Sequence, residues 1–436
     1  MRRSTVVRLI AAVAMVVGLG VTAVPPGALA QPPAPAADST RQIDYHGWTS
    51  YLDFARGRLD GARLAPAGDG AITLARAAGA LSYTDPFATA AGPTSYDYAT
   101  WTSPVHRVGF GLTELVSSWT ADTPHGTWVQ VEMRGTTASN AATKWYVMGR
   151  WTSQMADPAR GDIHRTSVDG QRDANGNIYT DTYFSADGVA LQSYQLRVTL
   201  YREHGTNARP TVRSVGAIAS ALPDDTTVPA GPLGGAEGIT LNVPTYSQEI
   251  HHNEYPEYDG GGSAWCSPTS TEMVTEYWGH HPRPSDLTGI PYADPSVDYA
   301  AMHVYDWQYP GAGNWPFNVA YAASYGLEGQ VVQLHSMTDA ERFIKAGIPL
   351  VVSIHFDSSE LDGAGYSTDG HLMVIRGFAA NGDVVVNDPA SHLIKSDGAV
   401  ETTYKRQQFA NIWLPSDRSG GTAYVIHPAG WPVPRV

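Results

Sequence analysis

Hydrophobic and polar positions change their rhythm about halfway along the chain. From about residue 41 to 222 the short runs alternate. Tyr194, Leu196, Val198 and Leu200 interleave with Gln195, Arg197 and Thr199, the period-two signature of a half-buried strand. Trp128 to Met133 reads the same way, and so does Lys144 to Thr152 with Trp145, Tyr146, Val147, Met148 and Trp151. The clusters Thr123-Pro124-His125-Gly126, Asn175-Gly176-Asn177 and Ala186-Asp187-Gly188 punctuate these runs as turns. Residues 41–222 are therefore expected to form an all-β sandwich of jelly-roll type.

Residues 223–239, rich in Pro and Gly, read as a linker. From residue 240 to 436 the pattern is mixed. A short apolar strand, Leu241 to Pro244, comes first. A helix is expected from Pro268, suited to the first helical position, to Trp278, with Gly279 as its C-terminal cap. A second helix is expected from Asp339 to Ala346, with strands at Leu350 to His355, His371 to Phe378 and Val384 to Asn387. Helix followed by antiparallel sheet is an α+β arrangement. At the N-terminus, Arg2, Arg3 and Arg8 precede an apolar run from Leu9 to Val24 and the small-residue site Ala28-Leu29-Ala30. Residues 1–30 thus read as an export signal, followed by a Pro/Ala linker at 31–40, so the protein is expected to be secreted. No other segment is apolar enough to span a bilayer.

A length of 436 residues fits two domains. The formal net charge is −14, and removing the three arginines of residues 1–30 makes it −17. That balance excludes nucleic acid and anionic lipid as natural partners and is compatible with a peptide or protein substrate. There is one cysteine, so no internal disulfide forms. An unpaired thiol in an exported chain is a nucleophile, a partner in an intermolecular bridge, or an inert buried group.

Cys266 lies in Trp265-Cys266-Ser267-Pro268, just before the expected helix, where unpaired N–H groups and the helix dipole favour a thiolate. His371 follows a glycine-rich loop and opens an apolar strand, and histidine titrates where a general base must. Asp388 ends the next strand and is the carboxylate able to orient His371. With a two-residue Asn381-Gly382 turn, Asp388 falls opposite Ile375. That is the correct face but about four residues, or ~13 Å, from His371. Direct contact needs pairing centred nearer Ala379-Ala380, or a bulge. Gln248, after the first strand, can donate a side-chain N–H to an oxyanion beside the Cys266 backbone N–H.

The segments LNVPTYSQ, AWCSPTSTEMVTEYWG, IKAGIPLVVSI, GHLMVIRGF and VVVNDPA, in that order between about 241 and 415, resemble the bacteriocin-processing cysteine peptidases, peptidase family C-thirty-nine, in their secreted stand-alone form. The resemblance implies a papain-like fold. It also implies Cys266 as nucleophile, His371 as base, Asp388 as orienting acid and Gln248 as oxyanion donor, in a peptidase that passes through a thioester. Two departures stand out: the long interval between Gln248 and Cys266, and Ser267 where the family commonly has Gly. An amidase or transpeptidase acting on cell-wall peptides would use the same triad. A binding protein with a relict peptidase fold is the reading from another class.

Neither a cofactor nor a metal is expected. His251-His252-Asn253-Glu254 lacks the i, i+4 histidine pair of a metalloprotease helix and reads as a solvated loop. Asp173 to Asp181 imitates a calcium loop, but Gly176 falls too early and Phe184 stands at the last ligand place, so a hairpin turn is expected. The tryptophans of residues 41–222 pack a core or offer a stacking surface for cell-wall glycan.

Overall fold

The computed structural model describes residues 41–65, 71–88 and 90–436. The export signal at 1–30 and the linker at 31–40 lie outside the described residues. Sheets dominate the fold, and helices are few. The alternating run becomes the strand Leu191–Glu203, with Tyr194, Leu196, Val198 and Leu200 buried. It pairs with Thr127–Thr137 on one side and Thr94–Thr102 on the other, inside a seven-stranded sheet. A second seven-stranded sheet is built around Glu114–Asp122 and Thr211–Ala221. Trp101, Val131 and Leu196 from the first sheet share one core with Trp119, Val215 and Ala217 from the second.

Two expected turns lie between strands: Gly126 and Gly188 both take the left-handed conformation that glycine tolerates. The Asn175-Gly176-Asn177 turn does not form where expected. Asp173 Oδ1 accepts from the N–H groups of Asn175 and Gly176, closing the chain reversal early. Gly176–Tyr179 is then already a strand, and the hairpin to Thr182–Ser185 reverses at Thr180-Asp181. Trp48, Trp101, Trp119, Trp128 and Trp151 are all buried, and Trp145 lies under the guanidinium groups of Arg134 and Arg197. Core packing accounts for the five buried tryptophans.

Residues 223–239 are tied down along much of their length. Val228, Ala230 and Ala236 are buried, and the buried Glu341 carboxylate accepts from the N–H groups of Gly234 and Ala236. The expected strand Leu241 to Pro244 is not one. It runs as an extended segment whose Leu241 N–H donates to Arg376 O. Gly377 permits this approach, since a Cβ there would lie 2.4 Å from Ile239 O.

The third sheet runs in the order Leu327–Gln333, Thr422–Pro428, Leu350–Phe356, Thr368–Phe378, Val384–Asn387, Glu401–Tyr404. The helix Cys266–Tyr277 packs on it, with Met273 and Val274 against Val351, Leu372 and Val374. Each such buried side chain contributes roughly 1.5–3 kcal/mol. This helix starts two residues earlier than expected. Pro268 occupies its third position, still within the first turn, where the missing N–H costs no internal bond. The helices Pro295–Val304 and Trp315–Ala323 were not anticipated from the sequence. Trp315–Ala323 is buried from Pro316 to Ala323, so no polar face marks its period. Its Phe317 packs against Trp119 and Trp151, joining this helix to the core of the first two sheets. Among the described residues no helix is long and apolar enough to cross a membrane.

Candidate active site

Cys266 is the first residue of its helix, so its N–H has no partner one turn back. The fully buried Trp265 precedes it and donates its indole N–H to Tyr258 O at 2.7 Å, which fixes the entry to the helix. Ser270 Oγ donates to Leu372 O at 3.1 Å, locking the helix against the strand that carries His371. Ser267 does not face the cleft. It is fully buried, its hydroxyl 2.9 Å from Tyr424 Oη.

His371 Nε2 lies 2.8 Å from Asp388 Oδ1. The four-residue gap expected between them is halved in two steps, and the side chains span the rest. The hairpin loop spans residues 379–383, with Phe378 opposite Val384, and the register then shifts between Ile375 and Gly377. Past that bulge Val374 faces Asn387, which carries Asp388 level with Met373, one same-face position from His371. Asp388 is fully buried, and its other oxygen accepts from Tyr366 Oη at 2.8 Å and Tyr404 Oη at 3.1 Å. The Ala390 N–H donates to Oδ1 at 3.0 Å. Neither tyrosine was anticipated, since each comes from a separate element with no motif around it. Asn387 points away and is used structurally, accepting from Arg376 and donating to Pro244 O.

Burial disfavours the charged His371 ring, but the Asp388 charge and hydrogen bond, with a further hydrogen bond to Cys266, outweigh it and raise the pKa to about 10. With Nε2 committed to Asp388, Nδ1 is the nitrogen left for the thiol. Burial likewise works against the Asp388 carboxylate, yet His371, Tyr366 and the Ala390 N–H hold it below its ordinary value.

Gln248 is brought to the same place despite the long interval to Cys266. Its backbone N–H donates to Pro389 O at 2.8 Å, beside Asp388, and its Nε2 donates to Ser263 O at 3.0 Å, drawing the returning loop back to the site. Gln248, Cys266, Tyr366 and His371 line one cavity of about 620 Å³. Glu249 and Asp259 also line it, and burial raises both carboxyls above their usual range.

The His251-to-Glu254 loop is solvated only in its middle, where His252 and Asn253 are exposed as expected. His251 is fully buried, its Nδ1 2.8 Å from Glu254 Oε2, because the turn Gln248–His251 folds inward against the helix Pro295–Val304. Asp173, by contrast, is occupied by Tyr146 Oη and two backbone N–H groups, as a turn requires.

Comparisons with known proteins divide the chain at the same change of texture. A family model described as "Peptidase C39 N-terminal domain" matches residues 44–220. Another, described as "Peptidase_C39 like family", matches residues 240–420. Among solved structures, the chain is similar to a Bacillus anthracis protein described as a C39-like peptidase, at 19% identity and a TM-score of 0.28, over 45% of this chain and 98% of that one. No curated protein in the comparison matches the chain.

Proposed function

We propose, from the premise that residues 240–420 belong to the C39-like peptidase family, that this chain is an exported cysteine peptidase of papain-like fold. In this reading the two N-terminal sheets form a sandwich that braces the peptidase part. The observation that carries it is His371, placed to bridge the Cys266 thiol, with which it lines one cavity, and the buried Asp388 carboxylate 2.8 Å away.

The chemistry follows from that bridge. Cys266 gives its thiol proton to His371 Nδ1, the thiolate Sγ attacks the scissile carbonyl carbon, and the electron pair of the C=O bond moves onto its oxygen. The Cys266 backbone N–H and the Gln248 side-chain N–H stabilise that oxyanion. As the tetrahedral centre collapses, the C–N bond breaks and His371 Nδ1 gives its proton to the leaving amine. A water then attacks the thioester, passes its proton to His371, and the C–S bond breaks to release the acid. Asp388 stays ionised and holds the ring in place. The acidic lining from Glu249 and Asp259 favours a neutral or basic peptide over an acidic one.

Bracing by the N-terminal sheets is supported by contacts at the cleft wall. Asp181 Oδ2 accepts from the Trp315 N–H at 2.8 Å, and Trp315 lines the cavity. The Arg165 guanidinium donates to Thr152 O, Gln154 O and Met302 O, joining the strand region to the helix Pro295–Val304.

Alkylation by a small thiol-directed electrophile tests the reading. Rapid, single-site modification of Cys266 that abolishes peptide cleavage, slowed in His371→Ala, is expected. A thiol that reacts no faster than free cysteine, with cleavage unaltered in Cys266→Ala, would overturn it.

A further inference from the structure

Away from the cleft, three acid-base side chains meet inside the protein. His251 Nδ1 lies 2.8 Å from Glu254 Oε2 and 3.3 Å from Asp298 Oδ2, and the ligand atoms of all three lie within 4.8 Å of one another. His251 and Asp298 are fully buried, and the Glu254 side chain is 14% exposed. Among the described residues Asp298 finds no hydrogen-bond partner outside this trio, and His251 Nε2 has none at all. No Lys or Arg nitrogen among them reaches Glu254 or Asp298 within the 4 Å of an ion pair, and Asp294, which interacts with both His251 and Asp298, is another carboxylate.

With both carboxylates ionised, even a protonated His251 supplies one positive charge against two negative ones, leaving buried negative charge without a counter-ion, an arrangement that proteins rarely tolerate. One imidazole nitrogen and two carboxylates converging in a small space are the donors of a first-row divalent cation, with water completing the shell. A tetrahedral cation with bonds near 2.0–2.2 Å sets its ligand atoms about 3.3–3.6 Å apart, so the 3.3 Å between His251 and Asp298 already fits, and the 2.8 Å between His251 and Glu254 would open by about half an ångström.

We propose that His251, Glu254 and Asp298 bind one divalent transition-metal cation, with Zn²⁺ the best match to this donor set. The site is structural in position. His251 ends the turn that Gln248 begins, Glu254 sits in the long interval before Cys266, and Asp298 belongs to the helix Pro295–Val304. A cation here would pin the inserted loop to that helix, behind the wall that presents Gln248.

The test uses the whole mature chain, stripped with a chelator and then titrated with Zn²⁺ or Mn²⁺ alone. One equivalent bound per chain, with a rise in melting temperature, is expected. Glu254→Gln keeps shape at the one partly exposed position and should weaken binding by more than the roughly 10–100-fold that follows loss of an outer-sphere partner. Asp298→Asn should abolish binding while its far-UV circular dichroism stays native. Should that variant misfold, Glu254→Gln decides alone. Absence of stoichiometric binding by the native chain overturns the site, as does binding that survives Glu254→Gln unchanged. Because the readout is metal content and melting temperature, the result is independent of whether the chain is a peptidase.

Discussion

His371 and Asp388 meet at 2.8 Å although they sit two register positions apart on neighbouring strands. The pair is buried, and its charges depend on each other. Asp388→Asn should therefore lower the His371 pKa from about 10 toward its ordinary 6.5. Cleavage should fall by roughly 10²–10⁴-fold, the range for loss of acid-base assistance. Titration of the His371 ring followed by NMR checks the first, and steady-state kinetics the second. An unmoved pKa would rule out the carboxylate as its cause.

The same pair sets a pH window for stability. His371 is raised, so its contribution is full below 6.5 and lost as pH rises through about 10. Asp388 is lowered, so its contribution is full above 3.8 and lost as pH falls through its depressed value. Urea midpoints should be insensitive to this pair between about 3.8 and 6.5 and decline on the alkaline side, and the Asp388→Asn profile should lack that decline.

The contact was not legible in the sequence, although its members were. Cys266, His371 and Asp388 each announce themselves by residue type and position at an element's edge. Their meeting depends on a five-residue loop where two residues were expected and on a bulge at Arg376, and neither leaves a sequence signal. Tyr366 and Tyr404 converge on Asp388 from elsewhere in the fold, as Asp298 does on His251, so pattern reading had nothing local to find. The alternating strands were readable because one face is buried. The helix Trp315–Ala323 was not, because nearly all of it is.

Tyr366→Phe removes a donor from a buried carboxylate. A hydrogen bond to a charged group is worth about 1.5–3 kcal/mol, and that loss of unfolding free energy is expected. Tyr404→Phe should cost less, since its bond is longer at 3.1 Å and the remaining tyrosine still serves the same oxygen. Denaturant titrations of both single variants and the double variant measure this. A double variant merely equal to the sum would show that the two hydroxyls do not share the oxygen's demand.

The Ser267 hydroxyl is spent on Tyr424 in the interior. Ser267→Ala strands the Tyr424 hydroxyl and should destabilise by about 1–3 kcal/mol. Alkylation of Cys266 should proceed at the native rate, because the side chain is absent from the cavity wall. A large change in alkylation rate with unchanged stability would contradict that placement.

Asp181 links the N-terminal sheets to the cleft through the Trp315 N–H, and it is buried in doing so. Burial raises its pKa from 3.8 to about 6, against the lowering effect of the Trp315 and Thr182 hydrogen bonds. A raised carboxyl binds its proton more tightly in the folded state, so the fold loses stability as pH rises from 3.8 through about 6. Asn at this position still offers an oxygen to Trp315 but cannot ionise. Asp181→Asn should thus gain relative to the native chain across that interval and hold the gain at neutral pH. Thermal melts between pH 3.5 and 7.5 read the difference directly. If the two melting curves run parallel over the whole range, Asp181 carries the same charge folded and unfolded. Its burial against Trp315 would then exert no electrostatic hold on the cleft.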